Sequence, residues 1–164
     1  MNPCPCGYFT HPEKECVCSP TAVQRYLNKI SGPLLDRIDI HVNVKPVDFD
    51  KLSDIRPAES SEDILERVVQ AREQQAKRFD GQEKTHSNSQ MTTAQIREVC
   101  QLNKASEILL KKAMKHYQLS ARAYDRILKV ARTIADLAGK ADIGAEHIAE
   151  AIQYRSLDKE NWVQ

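Results

Sequence analysis

Only one stretch of this chain alternates as a β-strand does. Ile38, Ile40, Val42 and Val44 are separated by Asp39, His41 and Asn43, the period-2 pattern of a strand with one buried face. A lone strand cannot complete its own ladder of backbone hydrogen bonds, so its edges stay exposed and sticky unless sheet neighbours come from elsewhere. The remaining apolar positions recur at helical spacing, and aromatic residues are only 5% of a chain that is 41% hydrophobic. The fold class expected is mainly α.

Ser19 and Pro20 open a helix over Val23, Tyr26, Leu27 and Ile30 that also carries Arg25 and Lys29. Arg25 reads as a solvated helix arginine, with a nucleotide or DNA contact as the rival. Gly32-Pro33 breaks the chain, Leu34 and Leu35 anchor a short apolar turn, and Asp36-Arg37 follows on a stiff corner before the strand. Lys45-Pro46 to Pro57 is a polar connector, so the domain boundary is expected between residues 57 and 58. Ser60 and Asp63 make a capping box with Asp in place of Glu, heading a helix with Ile64, Leu65, Val68, Val69, Ala76 and Phe79 that ends near Asp80-Gly81.

Residues 81–91 read as an exposed polar loop, and Thr92 with Gln95 opens a short helix closing near Asn103. Residues 105–117 are expected to turn Ile108, Leu109 and Ala113 inward and Lys111, Lys112 and Lys115 outward. The clearest helix is capped by Ser120, lined by Tyr124, Ile127, Leu128, Ala131, Ile134, Ala135 and Ala138, and stopped by Gly139. Its Arg126, Lys129 and Arg132 form a basic stripe, read as a solvated or inter-subunit face. Asp142-Ile143-Gly144 starts a last helix with Ile148, Ala151 and Ile152 inward, ahead of a polar tail at 158–164.

Cys4, Cys6, Cys16 and Cys18 form Cys-x-Cys-x9-Cys-x-Cys. Two close thiol pairs across a short loop suit a tetrahedral structural zinc site, with Gly7, Pro12 and Pro20 at the turns and His11 as a substitute ligand. Disulfides, or an oxidised loop without metal, are the rivals. Cys100, beside Ile96 and Val99, reads as a core thiol. The net charge of +1 excludes a global field for nucleic acid or membrane. No apolar run approaches the roughly 18–20 residues of a membrane span and no signal peptide is visible, so a cytoplasmic location is expected.

Two arginines draw attention. Arg37, held on its corner, presents a planar fork of donors suited to phosphate oxygens; the rival is a surface pair with Asp36 or Asp39. Arg122 lies in the first turn of its helix, where the dipole disfavours a cation. An anionic partner is needed there, either a nucleotide phosphate or Asp125.

Three motifs together resemble one family. Ser31-Gly32-Pro33-Leu34-Leu35-Asp36-Arg37-Ile38-Asp39 looks like the arginine-finger segment of magnesium-chelatase-like AAA+ ATPases. Asn2-Pro3-Cys4-Pro5-Cys6-Gly7-Tyr8 resembles the segment that follows the sensor-1 strand in the ComM/YifB branch of that group. Residues 120–137 are similar to its sensor-2 helix. The resemblance implies residues 1–57 as the end of an α/β AAA+ core and 58–164 as its helical lid.

It further implies Asn2 as the sensor-1 residue that orients the attacking water, Arg37 as a finger acting on the neighbouring subunit's nucleotide, and Arg122 as the sensor-2 contact to phosphate. ATP and magnesium are the implied cofactors, with a ring of identical subunits, expected to be a hexamer, and DNA as partners. No Gly-x-x-x-x-Gly-Lys-[Ser/Thr] loop and no magnesium-holding acid pair occur here, so the chain is expected to be the C-terminal part of a longer ATPase, inactive alone. A DNA-remodelling motor is the first expectation for the parent. A metal-insertion ATPase acting on a porphyrin, and a stand-alone zinc-loop adaptor, are the alternatives.

Overall fold

The computed structural model describes residues 1–42, 44, 47 and 58–155; the expected connector at 45–57, apart from residue 47, and the tail at 158–164 lie outside them. Helix α1 spans Pro20–Leu27, with Ser19 Oγ accepting from the Ala22 amide and Pro20 in the first turn. It ends three residues before the expected Ile30. Gly32–Leu35 form the single-turn α2. Long α3 (Ser61–Arg78) starts as expected, Ser60 Oγ accepting from the Asp63 amide. A 3-10 turn at Asn88–Gln90 leads to α4 (Thr93–Val99), opened by the reciprocal Thr92–Gln95 capping box. Next comes α5 (Lys104–His116), then α6 (Ala121–Leu137), capped by Ser120, and finally α7 (Ala145–Gln153). Gly139 follows α6 in the left-handed region, φ 65°, the conformation that lets glycine end a helix.

The amphipathic α6 is the hub: α7, α3, α4 and the 3-10 turn pack on it, and α7 also packs on α5. Ile127, Leu128 and Ala131 of α6 meet Phe79, Met91, Ile96, Leu110, Ile148 and Ala151 in one apolar cluster. Two residues expected on the inward face, Tyr124 and Ala138, are exposed. On α5 the buried residues are Ser106, Leu110 and Ala113, whereas Ile108 is 47% exposed. Of the expected inward set, Ala113 is buried and Leu109 packs partly buried against the core, while Leu110 takes the place expected of Ile108.

Three further expectations are corrected. Ile38, Ile40, Val42 and Val44 make no strand among the described residues and are 39, 48, 66 and 86% exposed. A strand is defined by its neighbour, and the one β-bridge among the described residues is the isolated Leu102–Ile143 contact. The loop at 81–91 is not simply exposed: Thr85, Ser87, Asn88 and Met91 are buried, Asn88 at 1% exposure. Each buried polar side chain there has a hydrogen-bonding partner: Thr85 pairs with Gln95, Asn88 with Thr133 and Asp136, and Ser87 with Ser89 within the turn. The α3 stripe also differs, since Ala71, Gln75 and Phe79 are buried while all of residues 61–70 are exposed. The first half of α3 extends past the body that its second half packs on.

The expected basic stripe of α6 divides as well. Arg132 is 2% exposed, donating to Asp136 and to the carbonyls of Lys140 and Ala141 at 2.6 and 2.7 Å. Lys129 donates to the Ser89 carbonyl at 2.8 Å. Asp136 is the centre of this network, for it also accepts both Nη atoms of Arg78 and the Asn88 amide. Burial alone would raise its carboxyl, but the bonds from Arg78 and Asn88 and the Arg132 charge outweigh burial and hold it below the usual range.

Candidate functional site: a thiol quartet and two presented arginines

The two Cys-x-Cys pairs fold onto each other. Gly7, at φ 84°, turns the chain after the first pair, and its amide donates to the Cys4 carbonyl at 3.1 Å. Cys4 Sγ lies 3.3 Å from Cys6 Sγ and 3.7 Å from Cys16 Sγ, and Cys6 Sγ lies 3.6 Å from Cys16 Sγ. All four sulfurs, Cys18 included, are within 4.8 Å of one another. A tetrahedron of zinc–sulfur bonds of about 2.3 Å has edges of about 3.8 Å, so the quartet has the dimensions of a tetrathiolate cage. His11 is not one of the cage ligands. Its Nδ1 accepts the amides of Glu13 and Lys14, both at 3.1 Å, and so shapes the loop between the pairs.

Backbone amides surround the sulfurs. Phe9 N–H donates to Cys4 Sγ at 3.3 Å. The Tyr8 amide, the largest influence on Cys6, brings that thiol down to about 6. At Cys16 the Cys18 amide pulls the same way, but burial and the bonds shared with Cys6 and Cys4 push the thiol up to about 12. Cys4 is also held below the ordinary thiol value and Cys18 above it, so the first pair favours the thiolate and the second the thiol, and a bound cation would replace the protons that remain. Among the described residues this is the one group of three or more Cys, His, Asp or Glu close enough to share a metal. Soft thiolates suit zinc; magnesium takes hard oxygen ligands, and the quartet offers none.

Arg37 is exposed at the end of α2, where its Nη1 donates to the Pro33 carbonyl at 3.0 Å. The surface pairs weighed as its rivals are not made: Asp39 pairs with Arg126 and Asp36 faces Arg155. Arg122 is exposed in the first turn of α6 and lines an open cleft of about 1150 Å³, together with Arg97, Glu107, Tyr124, Asp125 and Leu128. Asp125 accepts from Thr93 Oγ1 at 3.3 Å and makes no ion pair with Arg122. Both arginines thus keep their guanidinium groups free of carboxylates among the described residues.

Asn2 is exposed, its carboxamide resting against Gly7. No hydrogen bond joins Asn2, Arg37 and Arg122 among the described residues; the structure brings together the cysteines alone. Arg25 is exposed, as expected, and Cys100 is a buried core thiol, pushed up to about 11 chiefly by burial. Sequence reasoning missed Arg126 and Arg155, which grip the Arg37 corner. Their contacts span 87 and 117 residues of chain, and no local pattern marks them.

The profile for the C-terminal part of magnesium chelatase, subunit ChlI, matches residues 58–155, and that for magnesium chelatase, subunit ChlI, matches residues 1–52. Competence protein ComM of Haemophilus influenzae is 40% identical over 158 residues, which is 96% of this chain and 30% of that protein. The uncharacterized protein YifB of Escherichia coli is 39% identical over 160 residues, and YifB of Salmonella typhimurium 36% over 160, each covering 97% of this chain and 30% of the relative. The chain therefore spans about 30% of the length of the curated relatives it matches. With two profiles matched in series over most of its length, this chain belongs to the magnesium chelatase (ChlI) family, and the ComM and YifB proteins are among its relatives.

Proposed function

We propose that this chain supplies an arginine finger, Arg37, and a sensor-2 arginine, Arg122, to a ring-forming AAA+ ATPase that remodels DNA. The observation that carries the reading is the pair of exposed, carboxylate-free guanidinium groups. One stands on a corner and the other over an open cleft, on segments matched by the two family profiles. In a ring, Arg122 reaches the phosphates bound by its own subunit, while Arg37 reaches those bound by the next one. A finger delivered in trans stabilises charge on the transferring phosphoryl group and is worth on the order of 10³–10⁵ in rate. Asn2 takes the water-orienting role once the strand before it is in place. The phosphate loop and the magnesium ligands belong to the rest of the ATPase, with residues 1–57 closing its core and 58–164 forming its lid.

Cys4, Cys6, Cys16 and Cys18 hold a structural zinc that ties the loop ahead of α1. Four thiolates leave no open coordination position, so this zinc does no chemistry on substrate.

Mixed rings test the assignment in a full-length ATPase carrying this segment. Arg37→Ala mixed with a phosphate-loop variant should recover hydrolysis, since one subunit offers the intact pocket and its neighbour the finger. Arg122→Ala in the same mixture should recover nothing, because both lesions spoil the pocket. Equal recovery of the two mixtures refutes the assignment. The profiles' own description, magnesium chelatase, favours one other reading, metal insertion into a porphyrin. Hydrolysis that rises with DNA and weakens steeply with salt supports the DNA motor; a rate indifferent to DNA and raised by a porphyrin-binding partner supports insertion.

A further inference from the structure

The Arg37 guanidinium meets no carboxylate among the described residues and bonds only the Pro33 carbonyl of its own turn, while the backbone around it is gripped on both sides. Asp36 Oδ1 stands 3.9 Å from Arg155 Nη2. Arg155 Nη1 donates to the Ile38 carbonyl at 2.6 Å. Asp39 pairs with Arg126 of α6, and the His41 amide donates to the Tyr154 carbonyl at 2.8 Å. Residues 36, 38, 39 and 41 are thus fastened to α6 and to the end of α7. Arg155 is 1% exposed, and a guanidinium is tolerated at that depth only when oxygens take up its donors. The Ile38 carbonyl and Asp36 carboxylate are such oxygens, so the seating of Arg155 and the shape of the corner depend on each other.

We propose that Arg155, supported by Arg126, is the positioning residue of Arg37, holding the corner where its guanidinium can reach a neighbouring subunit's phosphate. The inference rests on the reading of Arg37 as a finger. A long side chain stabilises a transition state only from a fixed base, and a misplacement of about 1 Å costs on the order of 10²-fold in rate. Arg122 and Arg126 lie one turn apart on α6, so the Arg126–Asp39 pair ties the corner to the helix that carries Arg122.

The test again uses a full-length ATPase carrying this segment. Arg155→Ala should lower kcat about 10²-fold, leave KM for ATP within about twofold because the finger's contact is made in the transition state, and recover on mixing with a phosphate-loop variant, as Arg37→Ala does. Arg155→Lys, which keeps the charge but not the fork, should lose less and recover in the same mixture; it decides the matter where Arg155→Ala does not fold. Asp39→Asn, breaking the partly exposed pair with Arg126, should give a smaller kcat loss with the same recovery. An unchanged kcat, or a loss that mixing does not recover while Arg37→Ala does recover, overturns the positioning role alone. Failure of Arg37→Ala to recover overturns the finger reading and this inference together.

Discussion

Asp136→Ala should destabilise the helical body by about 3 kcal/mol, near the low end of the roughly 3–5 kcal/mol that follows when one partner of a buried ion pair is removed. The low end follows from how each partner is placed. Arg132, with 3% of its side chain exposed, loses its counter-ion but keeps the Lys140 and Ala141 carbonyls. Arg78, at 21%, can turn toward water. Asn88 loses an acceptor at 2.7 Å, although its oxygen still accepts from Arg78 at 2.9 Å. One guanidinium is stranded, not two. At about 4–8 °C per kcal/mol for a domain of about 100 residues, Tm should fall by roughly 12–24 °C. Urea unfolding followed by circular dichroism at pH 7 measures the free energy directly. Glu59→Ala, which breaks the exposed pair with Arg67, is the control and should cost under about 1 kcal/mol.

The pH dependence carries a definite sign. The Asp136 carboxyl is held low in the folded state, so its stabilisation is fully present above the unfolded carboxylate value of about 3.9 and is lost as pH falls through the lower folded one. The stability gap between the wild type and Asp136→Asn should therefore narrow below about pH 4. A cost for Asp136→Ala no larger than that of Glu59→Ala, or a gap independent of pH, refutes the claim that this network joins α3, the 88–90 turn and α6.

Two further outcomes are expected. Protein purified reduced and without chelator should hold about one zinc per chain by elemental analysis, and Cys16→Ser with Cys18→Ser should abolish the metal while helical signal from residues 61–153 persists; a metal-free wild type removes the site. Cys100, buried and pushed up to about 11, should resist thiol reagents at pH 8 in the folded metal-loaded protein and react only on unfolding, so rapid labelling of Cys100 in the native state contradicts its placement in the core.

What could be read locally was determined by the sequence itself. Side-chain oxygens of Ser19, Ser60, Thr92 and Ser120 take up the orphan amides of α1, α3, α4 and α6, and such caps act over three residues of chain, within reach of pattern. The paired Cys-x-Cys spacing announced the quartet for the same reason. Tertiary structure decided which apolar residues are core. Ile64 and Val68 share the helical stripe of Ala71 and Gln75, yet they are exposed because α6 meets only the far half of α3. It also decided the fate of charge. Arg126 and Arg132 sit on one helix, but Arg132 is buried on Asp136 and two carbonyls while Arg126 reaches back 87 residues to Asp39. The alternation at 38–44 promised a strand, and no strand forms among its described residues, since pairing is a property of two segments and this sequence holds one. Caps and helical periods are written within a few residues, whereas burial, ion pairing and sheet partnership depend on which distant segment arrives alongside.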